Sequence, residues 1–404
     1  MLISLCMIVK NEAAQLPQSL HSVANHVDEI IVVDTGSTDD TVKLAEAAGA
    51  KVFTYDWSND FSAARNISVS HATGDWIFVL DADERLTTVG QSLLQQIRSG
   101  KSLGENPLDS TLVVNVLRHE LGAEQSPYSA VSRLFRNRPD IRFNRPYHET
   151  VDDSVDRLLQ QESHWLVLTL SEKVIEHTGY QADVIAQQDK FNRAQTLMEC
   201  YLAEHPNDAY ICNKLGALYG QVSNWEKSRD LLERGLNSSE VDPGTIYELH
   251  YHLGLADRAS GNLDKATYHY QTALEQPILE HLKLGAHINL GSLLKAQQDL
   301  LGAIACFEQA VAIAPDFAMA HYNLGLAQRT RGYLESAITA YETAIRLNPD
   351  YAEAHQNLGV ALFKLGKLPE SRRAFEQAIA LYSQTNPEMA LTLQQGMYKL
   401  GISS

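Results

Sequence analysis

The chain has 404 residues, 44% of them hydrophobic and 21% charged, with a formal net charge of −17. That length exceeds one ordinary core and predicts two domains, or a domain followed by a repeat array. The acidic balance excludes a general nucleic-acid binder, which needs a basic face to displace counterions, and no apolar run approaches the roughly 18 residues of a membrane-crossing helix.

Met1–Val9 is apolar, without a basic stretch before it or a small-residue cleavage site after it, and reads as a first strand rather than a leader. LISLCMIV, EIIVVD, KVFTYD and WIFVLDAD are short β-rich runs, with helical patterns over Ala13–Asn25 and Asp39–Ala48 between the first three. This alternation predicts a mostly parallel α/β sheet, whose ligands collect at the carboxyl ends of the strands. Asp34 ends the second run and Asp81 the fourth, so both carboxylates are expected at one crevice.

Asp81, Asp83 and Glu84 crowd the end of the fourth run. A D-x-D pair suits a divalent cation that itself holds a diphosphate, and oxygen ligands select magnesium or manganese. The plain alternative is that these acids cap a helix beginning near Leu86. Arg133, Arg136, Arg138, Arg142 and Arg145 follow, either as a seat for a phosphate-bearing ligand or as a solvated face paired with acids. Cys6, Cys200, Cys212 and Cys306 lack C-x-x-C spacing and read as reduced thiols of a cytoplasmic protein.

Beyond about His205 the period changes. Leu-Gly recurs at Leu215, Leu253, Leu290, Leu324 and Leu358, the last three pairs 34 residues apart. Thirteen residues after each Leu comes a small residue (Ser228, Ala266, Ala303, Ala337, Ser371), and seventeen after it a bulky one (Leu232, Tyr270, Phe307, Tyr341, Phe375). Three further on is another small residue (Gly235, Ala273, Ala310, Ala344, Ala378), and Pro315 and Pro349 punctuate the turns. The pattern resembles the tetratricopeptide repeat. It departs from it in placing His250, His287, His321 and His355 where an aromatic usually precedes the Leu; one histidine per repeat points to packing or hydrogen bonding rather than metal.

The segments SLCMIVKNEA, DEIIVVDTGSTDDT, WSNDFSAARNISVSHATGDWIFVLDADE, RLFRN and PYHETV, in that order, resemble family 2 glycosyltransferases of the GT-A fold. More narrowly they resemble the bacterial branch of lipopolysaccharide-core transferases and SunS-like peptide S-glycosyltransferases. The resemblance implies a Rossmann-like, mostly parallel α/β domain over residues 1–180, a helical linker over 181–205, and an all-α tetratricopeptide superhelix of about five repeats plus a capping helix over 206–404. It further implies inverting, hexosyltransferase-type transfer from a nucleotide-diphosphate sugar, with Mn2+ or Mg2+.

On that resemblance Asn11 and Glu12 border the nucleotide, Asp34 accepts from the base or ribose, and Arg65 faces the donor from a helix. Asp34 could alternatively cap the turn Thr35–Thr38, and Arg65 could form an ordinary interhelical ion pair. Asp81 lies near ribose and sugar, Asp83 ligates the metal, and His177, with His148 as rival, completes the site. Glu149 is the expected catalytic base, with Asp152 and Asp153 as neighbours able to replace it. Asn289, Asn323 and Asn357, each just before a Leu-Gly pair, resemble the asparagine ladder of O-GlcNAc transferases, which implies a groove gripping a protein or peptide acceptor. Alternatives are a glycan or lipid-linked acceptor with the repeats used for assembly, and an inactive scaffold; an exposed repeat edge would suit a homo-oligomer.

Overall fold

The structure is a computed structural model describing residues 1–123, 125–178 and 188–402, with backbone alone for 188–190. The domain end near 180 and the start of the expected linker, 181–187, lie outside the described residues, as do the last two residues of the expected repeat domain, 403–404. The chain forms two compact units, Met1–Val241 and Asp242–Ser404.

In the first unit β1 (Ile3–Val9), β2 (Glu29–Asp34), β3 (Lys51–Thr54) and β4 (Trp76–Val79) are the four expected strands, all parallel. β1 is buried on both faces. Ile3, Leu5, Met7 and Val9 join one core with α1 (Leu16–Val23) and α4 (Thr88–Arg98), while Cys6 joins the other with Val69 of α3 (Phe61–Ser70) and Leu158 of α5 (Asp152–Gln161). The second expected helix is α2 (Thr41–Ala47). α1 is shorter than its apolar pattern, because Asn25 turns to φ 67° just beyond it.

β5 (Glu84–Leu86), β6 (Thr111–Glu120), β7 (Tyr128–Arg136) and β8 (Leu166–His177) extend this to a sheet of order β3-β2-β1-β4-β7-β6-β8-β5. This half is mixed: β7 runs antiparallel to β4 and β6, β5 antiparallel to β8, and β6 parallel to β8. No crossover helix separates β6 from β7, so they pair as a hairpin. Glu84 opens a strand rather than a helix, and α4 is capped by Thr87, whose Oγ1 accepts from Gly90 N at 3.1 Å. The helical pattern then begins with α6 (Gln188–Glu204), α7 (Ala209–Gln221) and α8 (Trp225–Leu236).

The second unit is all helical: α9 (Pro243–Ala259), α10 (Leu263–Leu274), α11 (Leu284–Ala296), α12 (Leu300–Ile313), α13 (Ala318–Arg331), α14 (Leu334–Leu347), α15 (Ala352–Lys364), α16 (Leu368–Thr385) and α17 (Pro387–Lys399). The Leu-Gly signature has a steric origin. A Cβ on Gly254 would lie 2.5 Å from the Tyr270 ring, on Gly291 2.8 Å from Phe307, on Gly325 2.7 Å from Tyr341 and on Gly359 2.8 Å from Phe375. Each glycine admits the bulky side chain of the antiparallel partner helix, and those rings are fully or almost fully buried. Gly325→Ala is therefore expected to lower unfolding stability by about 1–3 kcal/mol through overpacking, read as a lower urea midpoint at unchanged slope.

The repeated histidines act within the repeats. Nε2 of His321 and of His355 donates to the carbonyl oxygens of Pro315 and Pro349, each at 3.0 Å, tying the turn to the next helix. His250 instead meets His269, Nδ1 to Nδ1 at 2.9 Å.

Candidate active site

Strand register assembles the site. His177 at the end of β8 pairs with Glu84 of β5 on one side and Glu120 of β6 on the other, and Asp83 immediately precedes β5. Thr178 fixes the Asp83 backbone, donating through N at 3.1 Å and Oγ1 at 3.0 Å to its carbonyl oxygen. A tight turn holds Asp81 to Glu84: Glu84 N donates to Asp81 O at 3.0 Å and Asp81 N to Glu84 Oε2 at 2.9 Å.

The side chains then form one chain of alternating sign. Arg65 donates through Nε to Glu149 Oε1 and through Nη2 to Asp81 Oδ1, both at 2.5 Å. Arg133 Nη2 lies 2.6 Å from Asp81 Oδ2 and 3.5 Å from Glu84 Oε1. Arg118 reaches Glu84 Oε1 at 2.7 Å through Nη1 and Glu120 Oε1 at 2.8 Å through Nε. His177 closes the chain, its Nδ1 2.5 Å from Glu120 Oε2 and its Nε2 3.1 Å from Asp83 Oδ2.

Five carboxylates thus face three arginines and one imidazole, and the chain ends in a carboxylate on both sides, Glu149 on Arg65 and Asp83 on His177. Arg65, Glu84 and Glu120 are buried, while the side chains of Asp81 and Asp83 keep 28% and 30% of their surface open. Burial alone would raise the Asp81 carboxyl, but Arg133 and Arg65 hold it far below the usual carboxylate range. Burial opposes ionisation of Glu120 as well; the hydrogen bond from His177 and the charge of Arg118 bring it down to about 2. For His177, burial disfavours the imidazolium, yet hydrogen bonds to Asp83 and Glu120 prevail and lift it to about 9. Glu120 also fixes the ring orientation, turning Nε2 toward Asp83.

The remaining expected residues are placed as follows. Asp34 is buried at the end of β2, and its carboxylate accepts from Gly36 N at 3.1 Å and Ser37 N at 3.0 Å, so it shapes the turn 35–38. Asn11, at φ 56°, accepts from Thr38 N at 2.7 Å and binds the same turn, while Glu12 N donates to Thr41 Oγ1 at 2.8 Å. Arg65 bonds across to a strand end and a loop rather than to another helix. His148 is exposed at φ 53° with its ring against Tyr147, and it is His177 that meets Asp83. Asp152 accepts from Ser132 at 2.5 Å and Asp153 pairs with Arg145, so of the three acids it is Glu149 that joins the chain.

The arginine-rich segment is not one phosphate seat. Arg136 lies over Trp76 and donates to Thr111 O and Leu108 O, Arg138 pairs with Asp140 and Glu162, and Arg145 pairs with Asp208. Arg142 donates to Ile141 O. Strand alternation gives only Arg133 to the site. Arg118 and Glu120 went unread in the sequence, where their signal is two charges two apart on an apolar strand. So did the aromatic wall beside Glu149, where Trp57, Phe61 and Tyr147 meet edge to face and Arg193 of α6 lies over Trp57 and Phe61.

The asparagines do not form an open ladder. Asn289 is 1% exposed, donates to Tyr251 Oη at 3.2 Å and Gly285 O at 3.0 Å, and accepts from Arg258 Nη1 at 2.8 Å. Asn357 donates to Tyr322 Oη at 3.3 Å and Glu353 O at 2.9 Å, and Asn323 is half-buried. Tyrosines on the preceding repeat draw these amides into the array.

All four cysteines are free, and among the described residues no helix is long and apolar enough to cross a membrane. Residues 4–102 match the family described as Glycosyl transferase family 2. Residues 291–332 and 329–366 match the TPR repeat, and residues 352–385 match the tetratricopeptide repeat. A TPR repeat-containing protein of Synechococcus elongatus is 47% identical over 313 residues, 78% of this chain and 76% of that one. An uncharacterized glycosyltransferase of Rickettsia felis is 34% identical across 38% of this chain and 54% of its own length. The SPbeta prophage-derived glycosyltransferase SunS of Bacillus subtilis is 28% identical across 57% of this chain and 52% of its own length. With its GT-A sheet, its strand-end carboxylates and its helical repeats, the chain belongs to glycosyltransferase family 2, in a form that carries tetratricopeptide repeats after the transferase domain.

Proposed function

We propose that the protein is a cytoplasmic, inverting, metal-dependent hexosyltransferase that moves a sugar from a nucleotide-diphosphate donor to a protein or peptide acceptor recruited by the repeats. The observation that supports this most is the partly open Asp83 carboxylate at one end of the alternating chain, beside the Nε2 edge of His177, whose proton a bound ion would displace. A carboxylate and an oriented imidazole suit Mn2+ or Mg2+, which take few protein ligands and complete their shell with phosphate oxygens. Among the described residues no group of three or more His, Cys, Asp or Glu side chains converges to hold a metal ion. When bound there, the ion would neutralise the departing diphosphate.

In this reading Asp34, Asn11 and Glu12 shape the loop that borders the base and ribose. Arg65 fixes Asp81 and Glu149 relative to one another. Its bond to Glu149 uses Oε1 and leaves Oε2 to accept the proton of the acceptor hydroxyl or thiol as that atom attacks the anomeric carbon. The wall of Trp57, Phe61 and Tyr147 excludes water on that side.

The test is release of nucleoside diphosphate from a panel of nucleotide sugars, with manganese and then with EDTA. Release is expected to require the ion and to fall about 10²–10⁴-fold in Glu149→Gln. No release from the intact protein with any donor would leave only the scaffold.

A further inference from the structure

The first helices of the pairs in the second unit, α9, α11, α13 and α15, are joined side by side through contacts such as Arg258 to Asn289 and Asn357 to Tyr322. The residue five beyond each Leu of the Leu-Gly pairs there is Arg258, Lys295, Arg329 and Phe363. Three successive repeats therefore present a cation at the same register. Arg258 is exposed, and Lys295 and Arg329 are half-buried. Among the described residues none of the three has a carboxylate within ion-pair distance.

Among the described residues their direct partners are neutral or cationic, and the acids nearby, buried Asp257 beside Arg258 and exposed Glu353, do not pair with them. Arg258 donates to the Asn289 amide oxygen, and Arg329 sits beside the Tyr341 hydroxyl with its own Nε buried and without a hydrogen-bond partner among the described residues. Burial and the charge of Arg329 both lower the Lys295 pKa, so these two cations feel one another. Glu353, exposed on α15, approaches Tyr322 but does not pair with Arg329. In a chain of net charge −17, aligning three like charges away from the abundant acids is unfavourable unless something outside neutralises them.

We propose that this row binds an extended acidic polypeptide segment, whose Asp or Glu side chains meet Arg258, Lys295 and Arg329 in turn. A nucleic acid would meet the same cations but also the field of an acidic protein over its whole length. A short acidic peptide needs only the row. That the segment belongs to the acceptor of sugar transfer rests on the function proposed above; its binding does not.

The experiment uses the full chain and short fluorescein-labelled peptides of alternating Glu and Gly or alternating Gln and Gly, read by fluorescence anisotropy. The Glu peptide is expected to bind, and to weaken at least about tenfold both in raised salt and in the variant Arg258→Gln/Lys295→Met/Arg329→Gln. Nucleoside diphosphate release without acceptor is expected to be unchanged in that variant. Arg258→Gln alone, at an exposed position, carries the test if the triple variant does not fold, with a smaller loss expected. Equal binding of the two peptides, parent-like binding by a folded variant, or preference for single-stranded DNA over the Glu peptide would overturn the proposal. Absence of nucleotide release from the parent would instead overturn the transferase reading and leave the peptide result standing.

Discussion

Asp83→Asn lowers nucleoside diphosphate release by at least about 10²-fold while leaving the fold intact. The substitution keeps the shape of the side chain and removes its charge. What ties residue 83 to the sheet is its backbone carbonyl, which accepts from Thr178 N and Oγ1, so those bonds survive. The side chain itself is 30% exposed and, among the described residues, pairs with His177, a contact whose loss costs about 1–3 kcal/mol. Glu84→Gln, one position on, is the contrasting control: Glu84 is fully buried between Arg118 and Arg133, and its neutralisation leaves Arg118 with Glu120 alone and Arg133 with Asp81 alone and unfolds the protein earlier. Release assays and thermal melts on both variants separate the roles. A folded Asp83→Asn protein with more than about a third of the parent rate would remove the cation from the proposed chemistry.

How far the sequence could be read depends on how local each feature is. The repeats were legible in detail because glycine, ring and small residue recur at fixed offsets within one helical pair, and the Gly325 to Tyr341 contact is the physical meaning of that offset. β1, β2 and β4 were legible as short, largely buried apolar runs, and the more exposed edge strand β3 as a short β-rich run. The second half of the sheet was not, because the pairing of β6 with β8 joins Glu120 to His177 across 57 residues that carry no period. Asp83 and His177 were named for one metal site, but Glu120, which orients His177, and Arg118, which pairs with Glu120, lie two apart on an apolar strand that gives no sign of them. The asparagines show the opposite limit. They recur at one position before each Leu-Gly pair, yet Tyr251 and Arg258 on the preceding repeat take up the Asn289 amide, which no single repeat reveals.

Arg65→Met is expected to destabilise the first unit by about 3–5 kcal/mol, because it leaves the Glu149 carboxylate without its partner and facing Asp81, which keeps Arg133 alone. Arg65 is 4% exposed on α3 and links Glu149, in the loop after β7, to Asp81 after β4. Arg65→Lys recovers only part of the loss, since an ammonium is a point charge and cannot hold two carboxylates through separate nitrogens in fixed directions. Release of nucleoside diphosphate falls in both variants, because Asp81 and Glu149 no longer share a fixed frame. The double variant Arg65→Met/Glu149→Gln is the discriminating measurement. Removing the stranded Glu149 charge restores stability relative to Arg65→Met, by a coupling of about 1–3 kcal/mol in urea titrations, while activity stays lost. If the two substitutions were merely additive in stability, Glu149 would not belong to the electrostatic chain, and its role as base would have to pass to a residue outside it.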